Sequence, residues 1–160
     1  MIIDEEVKAV ALAVVVIAGV FSVSQAFPVS RVEPFSVLAV LGPKMKLGDY
    51  PREVIAGEPF TLYLYVGNHE GKTVYYSVMV KLGDGSTPVN ETTPMQLPDI
   101  MRFDRVLMNG ENWTRAVNIS IDRLGVGLRL VFELWIYDEA ANNMRYHGVW
   151  SQLWMNVTRR

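Results

Sequence analysis

The sequence has no cysteine among its 160 residues, so it can form neither a disulfide bond nor a thiolate metal site. Histidine is nearly as scarce, with two residues, and no serine lies in the G-x-S-x-G sequence of many hydrolases. The 15 basic and 17 acidic side chains nearly balance, whereas nucleic-acid-binding domains usually carry a basic face. These absences predict a protein that is not an enzyme, uses no cofactor and binds no nucleic acid.

Hydrophobic residues are concentrated near the N-terminus, where Ser22 is the one polar residue between Ala9 and Val23. About 21 helical residues span roughly 30 Å, the thickness of a bilayer core. We therefore predict a transmembrane helix over residues 9–28, after a short cytoplasmic N-terminus at 1–8. Phe27 and Pro28 would mark the exit from the membrane, because proline ends a helix.

Two alternatives to a retained anchor exist. A cleaved signal peptide could end at Ala26, after the sequence SQA, but the leading sequence MIIDEEVK is acidic where signal peptides are basic. A buried core helix is rarely apolar on every side over this length. The sequence favours the anchor, which makes the lipid bilayer the first expected partner.

The C-terminal half contains four N-x-S/T sequons, which are glycosylation acceptors. Their asparagines are Asn90, Asn112, Asn118 and Asn156. The basic residues that flank the apolar segment weakly favour a cytoplasmic C-terminus, whereas glycans are attached outside the cytoplasm. The sequons therefore predict a single-pass protein of the cell membrane, with residues 29–160 outside the cytoplasm and covalent N-glycans attached.

Residues 29–160 show the alternation of apolar and polar residues that is typical of β-strands. It is clearest over 60–66 and 74–82, where the intervening sequence GNHEGK predicts a hairpin. Further strands follow up to the C-terminus, and no amphipathic helix is evident. Seven or eight strands predict an all-β antiparallel sandwich of immunoglobulin or fibronectin-III type, with a barrel as the alternative.

The sequence also resembles a known family in several short motifs. These are Leu41-Gly42-Pro43, Tyr50-Pro51, Gly57-Glu58, Asn68-His69-Glu70-Gly71 and Tyr76. They resemble the soluble module of an archaeal membrane-protein family catalogued as domain of unknown function sixteen-sixteen. The resemblance is specific from about residue 34 to 83 and looser to 158. It implies an archaeal envelope protein with an outward immunoglobulin-like domain, and it supplies no activity.

Three tryptophans are candidates for a contact surface. In extended strands, Trp150 and Trp154 share a side with Asn156, and Trp135 points away from the core in the preceding strand. Exposed aromatic patches usually mark contact surfaces. Alternatively, this face packs within the molecule, for example under the segment from Ser86 to Leu97.

The two histidines raise the question of a metal site. His69, Glu70 and His147, with Asp84, offer ligand types that zinc accepts. However, the sequence NHEG is also typical of a tight turn, where adjacent residues seldom converge on one ion. We therefore predict no metal site.

The sequence leaves more than one function open. It favours a non-catalytic, membrane-anchored, glycosylated surface subunit that contacts other envelope or membrane proteins through Trp135, Trp150 and Trp154. A carbohydrate-binding surface module and a self-assembling filament or surface-layer subunit are the alternatives. A filament subunit is disfavoured because the N-terminus lacks the basic processing site of a pilin leader.

Overall fold

The structure, a computed structural model, describes residues 5–26 and 33–160. Residues 5–26 form one helix, α1 (Glu5–Ala26), and the β-domain follows as a separate unit that begins at Pro34. The predicted exit at Phe27 and Pro28, and the first four residues of the predicted cytoplasmic tail, lie outside the described residues. Among residues 5–26 and 33–160, no helix meets the length and apolarity that crossing a membrane requires.

The β-domain contains eight strands. They are β1 (Phe35–Leu41), β2 (Glu53–Ile55), β3 (Phe60–His69), β4 (Val74–Gly83), β5 (Asp99–Leu107), β6 (Asn112–Ile119), β7 (Gly125–Asp138) and β8 (Asn143–Thr158). They form a three-stranded sheet of order β1-β3-β6 and a five-stranded sheet of order β2-β8-β7-β4-β5. The predicted β-sandwich is therefore confirmed.

One strand pair departs from the predicted all-antiparallel arrangement. Strand β2 was not expected from the sequence, and it pairs in parallel with the end of β8, with Glu53 opposite Asn156 and Ile55 opposite Thr158. Three residues are too few for alternation to reveal a strand. All the other strand pairs in the described β-domain are antiparallel.

The predicted hairpin between residues 60–66 and 74–82 is wrong. Both segments are strands, but β3 belongs to the smaller sheet and β4 to the larger one, so the chain crosses from one layer to the other between them. Asn68, which is fully buried, holds this crossing in place. Its side-chain amide donates to the carbonyl oxygens of Lys72 and Leu107, each at 2.8 Å, and its Oδ1 accepts from the backbone N–H of Glu70.

The core lies between the two sheets and is built by the alternation read from the sequence. Most inward side chains of β3, β4 and β7 are fully buried, as expected when two antiparallel sheets pack face to face. They include Leu62, Leu64, Val66, Tyr76, Val78, Val80, Leu130, Phe132 and Leu134. The opposite face of the larger sheet carries Trp135, Trp150 and Trp154.

Candidate functional site

The outer face of the larger sheet is formed by the outward side chains of β7 and β8, and we call it the tryptophan face. Its members are Arg129, Val131, Glu133, Trp135, Trp150, Gln152 and Trp154. Opposite residues on the two strands are Arg129 with Trp154 and Glu133 with Trp150. The outward direction predicted for Trp135, Trp150 and Trp154 is confirmed.

A buried ion pair lies in the middle of this face. The Nζ of Lys81, on β4, lies 2.8 Å from Oε2 of Glu133, and both side chains are almost completely buried. The ammonium also donates to the carbonyl oxygen of Met95, and Oε1 of Glu133 accepts from the Met95 backbone N–H. The pair therefore bonds to both backbone groups of one residue in the 84–98 loop.

The 84–98 loop covers part of the tryptophan face as a result. Val89 and Met95 from the loop form a second, small hydrophobic cluster with Val131, and Trp150 packs against its edge. Trp150 is half-buried. Its indole therefore packs partly against the 84–98 loop, as predicted by the alternative in which this face packs within the molecule.

Trp135 is also held by the ion pair. Its Nε1–H donates to Oε2 of Glu133 at 3.1 Å, and the Lys81 ammonium lies 5.5 Å from the centre of its ring. Tyr146 lies beside it, with the two ring centres 5.7 Å apart. Trp135 is half-buried by these neighbours.

Trp154 differs from the other two because 45% of its surface is exposed. The guanidinium of Arg129, itself buried, lies 5.5 Å from the ring centre of Trp150 and 5.4 Å from that of Trp154. Arg129 also donates to Oε1 of Gln152 and to the carbonyl oxygen of Thr87. Cation–π contacts of this kind fix the orientation of an indole, so Trp154 is exposed and held in place.

The bend in β8 brings the 84–98 loop close to this strand. Gly148 has a φ of +78°, and a Cβ there would lie 2.5 Å from the carbonyl oxygen of Glu91. Only glycine allows this conformation and this approach together. Nearby, the Tyr146 hydroxyl donates to the carbonyl oxygen of Asn90 at 2.9 Å. Burial and the charges of Glu133 and Glu91 raise the pKa of Tyr146 to about 12.

A separate polar cluster contains a serine, a histidine and a glutamate. The Ser36 hydroxyl donates to Oε1 of Glu70 at 2.6 Å, and Nε2 of His147 lies 3.0 Å from both of these oxygens. In a catalytic triad, the nucleophile and the carboxylate contact opposite ring nitrogens. Here both contact Nε2, and the serine proton is directed at the carboxylate, so this arrangement does not generate a nucleophile.

The same cluster includes a buried tyrosine. The Tyr76 hydroxyl lies 2.8 Å from Oγ of Ser36. Burial raises the pKa of Tyr76, and the charge of Glu70 raises it further, while the hydrogen bond with Ser36 lowers it. The cluster therefore satisfies polar groups at the edge of the core.

The four residues considered for a metal site do not converge. His147 and Glu70 meet, but the ring of His69 stacks on Phe35 with 4.7 Å between ring centres. Asp84 bonds to Ser86 and Arg123 instead. In the described part of the chain, no group of three or more His, Asp or Glu residues could hold a metal ion.

The sequon asparagines lie in different environments. Asn90, Asn112 and Asn118 are exposed, whereas Asn156 is half-buried. The Nδ2 of Asn156 donates to Oε1 of Glu53 at 2.7 Å, and its Oδ1 accepts from the N–H of Gly127. Both ends of the Asn156 amide are thus engaged.

Several residues that organise this face were not identified from the sequence. Lys81, Glu133 and Arg129 are charged residues at outward strand positions, which usually face water. The one sequence signal is that β7 carries two of them, Arg129 and Glu133, within an otherwise apolar segment. Their partners come from the 84–98 loop, whose path the sequence does not reveal.

Comparison with known proteins identifies the family. The family described as "Domain of unknown function (DUF1616)" matches residues 29–156, and this chain belongs to it. The resemblance read from the sequence motifs is confirmed. No curated protein matches the chain.

Solved structures with a similar fold include CARDB domains, which are immunoglobulin-like. The solution structure of the CARDB domain of a Pyrococcus furiosus protein has 12% identity and a TM-score of 0.50, over 80% of this chain and 98% of that one. The crystal structure of the same CARDB domain in complex with di-metal ions has 12% identity and a TM-score of 0.49, over 82% of this chain and 95% of that one. A chain in the complex of human zinc 2-glycoprotein with prolactin-inducible protein has 10% identity and a TM-score of 0.47, over 81% of this chain and 99% of that one. At 12% identity, the likeness to the solution structure is one of fold alone.

Breaking the buried ion pair should destabilise the domain. Replacing Glu133 with Gln leaves the Lys81 ammonium buried without a counter-charge, which costs about 3–5 kcal/mol. Adding Lys81→Met removes that charge and should restore part of the loss. Urea unfolding of the parent, single and double variants measures both effects. A Glu133→Gln variant within about 1 kcal/mol of the parent, the range of an exposed pair, would contradict this role.

Alkaline pH should weaken the contact between β8 and the 84–98 loop. Because the pKa of Tyr146 is raised from 10.0 to about 12 in the folded state, its contribution to stability is complete below pH 10 and is lost as the pH approaches 12. The melting temperature of a Tyr146→Phe variant should therefore fall less steeply than that of the parent over this range. Equal slopes would show that Tyr146 ionisation is not coupled to unfolding.

Proposed function

We propose that this chain is a non-catalytic, membrane-anchored and glycosylated surface subunit. In this role α1 holds the β-domain at the outer side of the cell membrane, and the tryptophan face contacts another envelope or membrane protein. The observation that carries the proposal is Trp154, an indole that is 45% exposed and yet positioned by a buried arginine. Exposed, preorganised aromatic side chains are typical anchors of protein interfaces.

The proposed anchor rests on the full sequence of residues 7–27, part of which lies outside the residues whose side chains the structure describes. The described valine, leucine and isoleucine side chains of α1 are more than half exposed. The hydroxyl of Ser22, the one polar side chain between Ala9 and Val23, donates to the carbonyl oxygen of Ala18 at 2.8 Å. In lipid, a polar group needs such a partner within its own helix.

The proposal of a non-catalytic role is supported by the polar clusters of the β-domain. Ser36, Glu70 and His147 are arranged so that serine and carboxylate share one ring nitrogen. The Lys81–Glu133 pair is buried and bonded to the loop backbone, so it is inaccessible to a substrate. Both clusters have structural explanations.

Glycosylation should favour the exposed sequons. We expect glycans on Asn90, Asn112 and Asn118, and the lowest occupancy at Asn156, because a glycan on its Nδ2 would displace the bond to Glu53. Mass spectrometry of glycopeptides from the protein purified from its native membranes measures the occupancy of each site. If all four asparagines are unmodified, the proposed location outside the cytoplasm loses its main support. If Asn156 is the most occupied site, the expectation that its bond to Glu53 hinders glycosylation is wrong.

The partner should be lost when the exposed indole is removed. Chemical crosslinking in native membranes, followed by purification of the tagged full chain, should recover a defined membrane or envelope protein. Trp154→Ala should reduce its yield, because loss of an aromatic anchor costs about 2 kcal/mol or more. Tyr137→Ala is the matched control. Tyr137 is an exposed aromatic residue near the C-terminal end of β7, whereas Trp154 lies opposite Arg129 near the start of that strand. A parent protein recovered without a partner would contradict the proposal.

A further inference from the structure

A cavity lies directly beside the exposed indole of Trp154. It has a volume of about 520 Å³, within the range of small-ligand sites. Two aromatic residues, Trp154 and Tyr50, line it together with side chains that form hydrogen bonds. These polar side chains are Arg52, Glu53, Gln152 and Asn156. The cavity thus combines a flat apolar platform with several donors and acceptors.

The walls of this cavity are held in fixed positions. Strand β2 brings Glu53 opposite Asn156 on β8, where the Nδ2 of Asn156 donates to Oε1 of Glu53 at 2.7 Å. Next to the pair, the Tyr50 hydroxyl donates to the carbonyl oxygen of Val40 at 2.8 Å, which fixes its ring. The platform itself is fixed by Arg129. A ligand would therefore meet a site that is already formed.

The unused hydrogen-bonding groups are of both kinds. Oε1 of Gln152 accepts from Arg129, and its amide nitrogen has no partner among the described residues, so it can donate to a ligand. Oε2 of Glu53 can accept, because Asn156 occupies the other oxygen. Arg52 adds an exposed donor. Groups that both donate and accept, as hydroxyls do, match this set best.

We propose that this cavity binds a neutral sugar, with one face of the pyranose ring on the indole of Trp154 and its hydroxyls on Glu53, Gln152 and Arg52. The negative face of an aromatic ring attracts the slightly positive C–H groups of a sugar. This inference deepens the proposed function and rests on it in one respect, since the sugar would belong to the cell surface or to a glycosylated partner.

The charges of the cavity favour a neutral ligand over an ionic one. Its lining carries one cation, Arg52, and one carboxylate, Glu53, while Arg129 next to the platform is buried and already donates to Gln152 and to the carbonyl oxygen of Thr87. An acidic sugar would meet Glu53, and an amine would meet Arg52, so neither gains net attraction. The remaining polar groups, on Gln152 and Asn156, are uncharged amides.

The experiment uses the full-length protein in detergent and isothermal titration with defined probes. These are the neutral trisaccharides maltotriose, cellotriose and mannotriose, with trigalacturonate as the acidic comparison. We expect saturable binding of at least one neutral probe. Trp154→Ala should weaken it by about tenfold or more, as for other stacking platforms, and Glu53→Gln should weaken it less. Tyr137→Ala should bind like the parent, because Tyr137 lies near the C-terminal end of β7 and does not line this cavity.

Several results would overturn the inference. They are failure of the parent to bind any neutral probe, equal binding by Trp154→Ala, or stronger binding of trigalacturonate. The melting temperature of each variant, measured alongside binding, separates loss of the site from loss of the fold. Trp154→Phe, which keeps a smaller aromatic platform, should retain part of the binding.

The result is distinguishable from failure of the proposed function. A crosslinked protein partner without sugar binding would leave the surface subunit intact as a proposal and remove this inference. Sugar binding without a protein partner would support this inference and contradict the proposed role as a surface subunit. If both hold, the bound trisaccharide should release the partner from the purified complex, which directly connects the two.

Discussion

The outer surface of the β-domain depends on the buried ion pair between Lys81 and Glu133. An ion pair gains little when it replaces well-packed apolar residues, but each of its charges is costly to bury alone. Here the pair also bonds to both backbone groups of Met95 and to the indole N–H of Trp135. These contacts determine which part of the tryptophan face the 84–98 loop covers and which part it leaves open.

The position of the loop divides the three tryptophans into two kinds. Trp135 and Trp150 pack against the ion pair and the loop, and they are half-buried. Trp154 lies at the margin of the loop, beside Gly85, with the Arg129 guanidinium near its ring and 45% of its surface exposed. Among the three indoles predicted to form a contact surface, Trp154 is therefore the most exposed, and Trp135 and Trp150 are partly packed within the molecule.

Alternation in the sequence predicted the strands and the direction of their side chains, because period-two burial is a local property of an extended chain. The outward set on β7 and β8, including Trp135, Trp150 and Trp154, was found in this way. The sheet to which each strand belongs is not local. The segment from Gly67 to Thr73 could form a hairpin or a crossing, and the observed crossing is stabilised by the buried amide of Asn68, which has partners on Lys72 and distant Leu107. Strand β2 and the Glu53–Asn156 pair were missed for the same reason.

The parallel pairing of β2 with β8 also affects how copies of the domain meet one another. An uncovered sheet edge is a template for unwanted pairing between chains, and short, charged edge strands prevent it. Strand β2 covers the end of β8 with only three residues, and the exposed side chains of Arg52 and Glu53 lie on its outer margin. The proposed sugar site uses Glu53 of the same short segment, so in that proposal selection for protection of the sheet edge would also constrain the site.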